Sequence, residues 1–148
     1  MLQLLDVRLV LFLADSPEEG TEQPIRTFRF ITGLRSDYQV AINQLAQLGI
    51  TEGTSPTTFD PDGDVTRWQM ALFLTRLYSN AGETLPAGTD GYSDTSDLPV
   101  YAQVAIDQLA ALGITTGTTA TTFTPYGLVT REQMAAFLAR EMRLLTAQ

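Results

Sequence analysis

The stretch that decides the fold is QVAINQLAQLGITEGTSPTTFDPDGDVTRWQMALFLTR, Gln39 to Arg76, because the chain writes it twice. The second copy is QVAIDQLAALGITTGTTATTFTPYGLVTREQMAAFLAR, Gln103 to Arg140. The offset is a constant 64 residues without a gap, and 27 of the 40 positions in 39–78 are identical in 103–142. Repetition at this spacing marks two copies of one supersecondary unit.

Inside each copy the periodicity is helical. Ala41, Ile42, Leu45 and Leu48 lie on one helical face, and Ala105, Ile106, Leu109 and Leu112 repeat it. Gly49 and Gly113 follow where a left-handed residue ends a helix, and Ile50 and Ile114 supply the apolar contact that accompanies such a stop. A Thr/Gly-rich loop comes next. Gly53 and Gly117 are placed for a turn, Phe59 and Phe123 for plugging the loop into the core. Pro61-Asp62-Gly63 and Pro125-Tyr126-Gly127 are turn signals.

A second helix then starts at Thr66 or Thr130. Gln69 or Gln133 three residues later makes a capping box, and Val65 with Met70, or Val129 with Met134, makes a hydrophobic staple. Its buried face reads Met70, Phe73, Leu74 and Leu77 in the first copy, and Met134, Phe137, Leu138 and Leu145 in the second. Two helices cannot bury both faces alone, so the units must pack on each other or on partners.

The remaining segments carry weaker signals. Val7 to Leu13 is too short an apolar run to separate strand from helix, Ser16 to Pro24 is a polar break, and Ile25 to Leu34 favours an extended segment. The fold expected is mostly helical. An irregular or β-like segment, 1–37, precedes repeat 1 at 38–80, a linker at 81–91, and repeat 2 at 92–148.

Composition excludes several functions. The 148 residues hold no Cys and no His, so disulfides, thiol nucleophiles, Cys/His zinc sites and His-dependent triads are absent, and no cofactor is expected. A net charge of −8, with Arg as the only cationic type, disfavours nucleic acid and anionic membrane surfaces. No run is long enough to span a bilayer. The apolar N-terminus is interrupted by Asp6 and Arg8 and matches a secretory signal poorly.

The carboxylate pairs Glu18/Glu19, Asp62/Asp64 and Asp94/Asp97 are close in sequence on loops, with nothing to mark a cleft, so a non-enzyme is expected. Asp60, Asp62 and Asp64 resemble the start of a calcium loop. Their counterparts are Thr124, Tyr126 and Leu128, no closing Glu follows, and a solvated turn is the better reading.

The repeated elements together resemble the S-layer homology (SLH) motif. The second copy supplies Tyr92-Ser93-Asp94, Tyr101-Ala102-Gln103-Val104-Ala105-Ile106, Gly113-Ile114-Thr115-Thr116-Gly117, Phe123-Thr124-Pro125 and Val129-Thr130-Arg131. The first copy matches from Ala41 through Arg76. Two motifs are present where the family usually has three. Phe28-Arg29-Phe30 stands at the offset of the aromatic-x-Asp start, and the family's Trp is Tyr101 or Asp37.

The resemblance implies a helical bundle outside the cell, in the cell wall or S-layer, that attaches a surface protein to anionic wall polysaccharide. It implies Arg131 and Arg67, Gly117 and Gly53, and Asp94 as glycan-contact positions. An Arg at the head of a helix suits a carboxylated sugar, and Trp68 and Tyr126 are candidate stacking surfaces. The alternative for each Arg is structural, tying a loop to a neighbouring helix. The alternative for the whole chain is an oligomerisation or protein-interaction module, with a third motif taken from residues 1–37 or from another chain.

Overall fold

The computed structural model of the chain describes Phe28, Ile31 and residues 33–89 and 91–147. The expectations for Val7–Leu13 and Ser16–Pro24, and most of Ile25–Leu34, fall outside the described residues. Four helices and no strand occur among the described residues: α1 (Ser36–Gln47), α2 (Arg67–Asn80), α3 (Val100–Ala111) and α4 (Arg131–Thr146). The mostly helical class read from the sequence is the class observed.

Local chemistry makes the two repeats alike. Each first helix ends in a left-handed glycine, Gly49 at φ 67° and Gly113 at φ 70°. The Gly49 N–H donates to Ala46 O at 3.1 Å and the Ile50 N–H to Leu45 O at 2.9 Å. Gly113 to Ala110 and Ile114 to Leu109 reproduce this at 3.0 and 2.9 Å. These paired bonds satisfy carbonyls that a helix end leaves open. The Gln39 amide caps Leu34 O at 2.7 Å and the Gln103 amide caps Leu98 O at the same distance.

The equivalence reaches further back than the sequence identity. Phe28 packs on Phe59 with ring centroids 5.5 Å apart, and Tyr92, 64 residues on, packs on Phe123 at 5.6 Å.

The second helices start at Thr66 and Thr130, both with the capping box. Thr130 is reciprocal, accepting from the Gln133 N–H at 3.2 Å and donating its own N–H to Gln133 Oε1 at 3.3 Å. At Thr66 both the N–H and the hydroxyl donate to Gln69 Oε1, each at 2.9 Å.

Packing, however, runs out of phase with the repeat. The chain forms two compact units, Met1–Gly63 and Asp64–Gln148. The first holds α1 and its loop, with a small core of Phe28, Ile31, Ile42 and Ala46 against which Leu34 and Phe59 pack. The second holds α2, α3 and α4, with α2 packed chiefly on α3 and to a lesser extent on α4. Its core joins Met70, Ala71 and Leu74 of α2 to Leu98, to Ala102, Ile106 and Leu109 of α3, to Ile114 and Phe123 of the loop, and to Phe137 of α4. Burying one such Leu, Ile or Phe contributes about 1.5–3 kcal/mol. The second helix of repeat 1 therefore belongs to the core of repeat 2. The Arg140 guanidinium adds a tie from α4, donating to Ile114 O at 2.9 Å.

Candidate functional site

The best-built constellation lies in the second unit, where the start of α2 meets the loop between α3 and α4. The Arg67 N–H donates to Gly127 O at 2.9 Å, the Trp68 N–H to Pro125 O at 3.1 Å, and the Val129 N–H to Val65 O at 2.9 Å. These bonds use two of the donors that a helix N-terminus leaves free, so the head of α2 is closed by protein carbonyls rather than open to an anion.

The Arg67 side chain turns inward and is only 4% exposed. Its Nε donates to Phe123 O at 2.7 Å. The guanidinium carbon stands 4.6 Å from the Phe123 ring centroid and 5.6 Å from that of Phe137, a cation–π pairing on two rings. Nη2 is buried with no acceptor among the described residues. Burial pulls the guanidinium below its ordinary pKa, while Tyr92 and Asp94 raise it in part.

Asp94 fixes the loop from the other side. Its Oδ1 accepts the Phe123 N–H and its Oδ2 the Thr124 N–H, both at 2.8 Å. A carboxylate accepting two backbone donors is a strong, charge-assisted clamp. Position 30, its counterpart in repeat 1, is Phe and offers no acceptor. Thr124 takes a left-handed φ of 57° at this bend, and Asp60 takes 55° at the same place in repeat 1.

Gly117, at φ 73°, leaves no room for a side chain: a Cβ would come within 2.6 Å of Thr119 O, Thr122 O and Tyr92 Cε1. Burial pushes the Tyr92 phenol up, while a hydrogen bond with Thr115 and the Arg67 charge oppose that shift. Gly117, Tyr92, Asp94, Phe123 and Arg67 thus form one connected cluster.

The other sequence-nominated residues make none of these side-chain contacts. Trp68 is half-buried, its side chain packed against the main core. Arg131 heads α4 and is exposed. Gly53, at φ 71°, belongs to the first unit, where the Phe28 ring and Thr58 O crowd it as Tyr92 and Thr122 crowd Gly117. Tyr126 is 57% exposed, and its hydroxyl donates to Asp97 Oδ2 at 3.0 Å, which raises the phenol pKa. Asp60, Asp62 and Asp64 are exposed, and no group of three His, Cys, Asp or Glu suited to a metal occurs among the described residues. No helix among the described residues is long and apolar enough to cross a membrane.

One residue escaped the sequence reading. Glu141 of α4 is 1% exposed, with neither carboxylate oxygen bonded among the described residues. Burial raises its pKa to about 8. The available signal was the repeat itself, since Glu141 stands in register with the core residue Leu77.

The S-layer homology domain family model matches residues 38–71 and 91–135, together just over half of the chain. The chain is also similar to an endoglucanase from Bacillus sp. (strain KSM-635), 31% identical over 146 residues. That similarity covers 98% of this chain and 15% of the endoglucanase, so the chain spans a small part of that relative's length.

Proposed function

Because this chain belongs to the S-layer homology family of cell-surface anchoring modules, we propose that it holds a larger protein to the bacterial envelope by binding anionic cell-wall polysaccharide. The observation that carries the reading is the family match in both repeats. The relative supports it, being an endoglucanase of which this module corresponds to 15%. Anchoring needs no chemistry of its own, and the module is read as non-catalytic.

The glycan site is read as composite, an Arg from one repeat beside the glycine turn of the next. Arg67 with Gly117, Asp94 and Trp68 makes one such site. Asp94 and Gly117 shape the loop, and the Trp68 N–H ties the head of α2 to it through Pro125 O. Arg67 Nε is committed to Phe123 O, which leaves Nη2 as a donor for a sugar carboxylate. Nη2 is buried, so a ligand oxygen reaches it only by displacing a neighbouring side chain. Arg131 and Gly53 are the same two parts for further sites, and the exposed Arg131 is the more accessible cation.

The test is co-sedimentation of the purified chain with bacterial sacculi before and after chemical removal of the wall polysaccharide. Retention on intact walls and release after stripping is the expected result. Arg131→Ala, at an exposed position, is expected to weaken retention at least about tenfold, equivalent to about 1.4 kcal/mol, with an unchanged circular dichroism spectrum. Equal retention on stripped walls would overturn the glycan reading.

A further inference from the structure

Two exposed surfaces of this chain correspond to the two halves of a joint that the chain already makes once, and we infer that they join it head-to-tail to a second copy of itself.

The existing joint is the one between the head of α2 and the loop of repeat 2. Its bonds run from Arg67 Nε to Phe123 O, from the Arg67 N–H to Gly127 O and from the Trp68 N–H to Pro125 O. Adding 64 to the helix residues and subtracting 64 from the loop residues gives the same parts again. The plug becomes Arg131 and Glu132 at the head of α4. The socket becomes Phe59, Pro61 and Gly63.

Burial tracks the partnership residue by residue. Arg67 and Ala71 are buried where the joint is made, whereas Arg131 and Ala135 are exposed. Pro125 is buried and Gly127 half-buried, whereas Pro61 and Gly63 are exposed. Among the described residues no carbonyl accepts from the N–H of Arg131 or Glu132, and no donor reaches the carbonyls of Phe59, Pro61 or Gly63. The equivalent elements, with the same capping box at Thr130 and a left-handed bend at Asp60 matching Thr124, are thus presented with the same backbone shape on both sides.

Charge completes the match. The socket of repeat 1 carries Asp60, Asp62 and Asp64, where the occupied socket of repeat 2 carries Thr124, Tyr126 and Leu128. The acidic triplet, read above as a solvated turn, is suited to receive a cation, which Arg131 of the plug supplies beside Glu132. Plug and socket are different surfaces, so the contact is heterologous and propagates from copy to copy unless it closes into a ring. Such a joint would also set Arg131 of one copy beside the Gly53 loop of another. In that respect it builds on the composite glycan site, but its test involves no glycan.

The experiment is sedimentation equilibrium of the full chain, in the absence of polysaccharide, from about 10 μM to 1 mM, the range that reports a weak self-association. The expected result is a mass that rises with concentration. Arg131→Glu and the double variant Asp62→Asn/Asp64→Asn should each raise the dissociation constant tenfold or more while leaving the circular dichroism spectrum and thermal midpoint unchanged. Mixing the two variants restores one working joint, the intact plug of one with the intact socket of the other, and should give a 1:1 dimer and nothing larger. A monomer throughout the range, or variants that associate as the unmodified chain does, would overturn the inference. Because no polysaccharide is present, neither outcome depends on wall binding.

Discussion

The loops 50–65 and 114–129 carry nearly the same sequence and the same backbone turns, yet they end in different states. The second is clamped by Asp94, packed under Tyr92 and entered by Arg67, and its Phe123 is 1% exposed. The first has Phe28 in place of Tyr92, a Phe in place of Asp94, and a half-buried Phe59. The difference teaches that the loop's shape is local while its burial comes from a neighbour. A helix head inserted from 56 residues away turns a surface turn into core.

The largest expected effect comes from emptying the second loop. Phe123→Ala should cost about 3–5 kcal/mol, as for a large buried aromatic, whereas Phe59→Ala should cost distinctly less. Urea denaturation of the two variants measures the contrast directly, and equal losses would break it.

Next is Glu141, where repeat 2 departs from the apolar Leu77 of repeat 1. Burial raises its pKa from 4.5 to about 8. Between these values the folded protein holds a proton that the unfolded chain has released, so stability falls as pH rises. The contribution is intact below about pH 4.5 and declines by about 1.4 kcal/mol per pH unit until the group ionises near pH 8. Glu141→Leu should flatten this slope and stabilise the chain by a few kcal/mol at pH 8, with little gain at pH 4. Thermal midpoints across that range would show it, and a parallel shift at every pH would refute the titration.

A smaller loss is expected from Asp94→Asn, which removes the charge from the clamp and makes repeat 2 more like repeat 1. About 1.5–3 kcal/mol is the scale for hydrogen bonds to a charged group. Hydrogen exchange should localise the loss to the Phe123 and Thr124 amides. The smallest change is Thr130→Ala, which removes one half of a capping box and should cost about 1 kcal/mol. The same change at Thr66 also perturbs the Arg67 joint, so the gap between the two variants reads the value of that joint in a melting experiment.

Much of the architecture was legible before any coordinates. Apolar spacing located the first helices, Gly49 and Gly113 their ends, and the Thr–Gln pairs the starts of the second helices. Each of these signals is completed by bonds spanning five residues or fewer. The candidate site was legible as a set of residue types. Its grouping was not, because Arg67 and Arg131 occupy the same Val-Thr-Arg-x-Gln-Met-Ala setting and differ chiefly in what surrounds them. Tyr92 was legible as part of a motif, but its role under Gly117 and beside Arg67 required the ring positions.

By itself, then, the amino-acid sequence determined the repeat, the helices with their caps and glycine stops, the left-handed turns, and the chemistry that composition excludes. These follow from dihedral preferences and short-range hydrogen bonds that act within a few residues. Only the tertiary structure decided that α2 packs with α3 rather than staying with its own repeat, that Arg67 is interior while Arg131 is not, and that Glu141 is sealed away from water. Those outcomes depend on which apolar faces meet and on the desolvation that follows. The same local sequence permits either result until the packing is made.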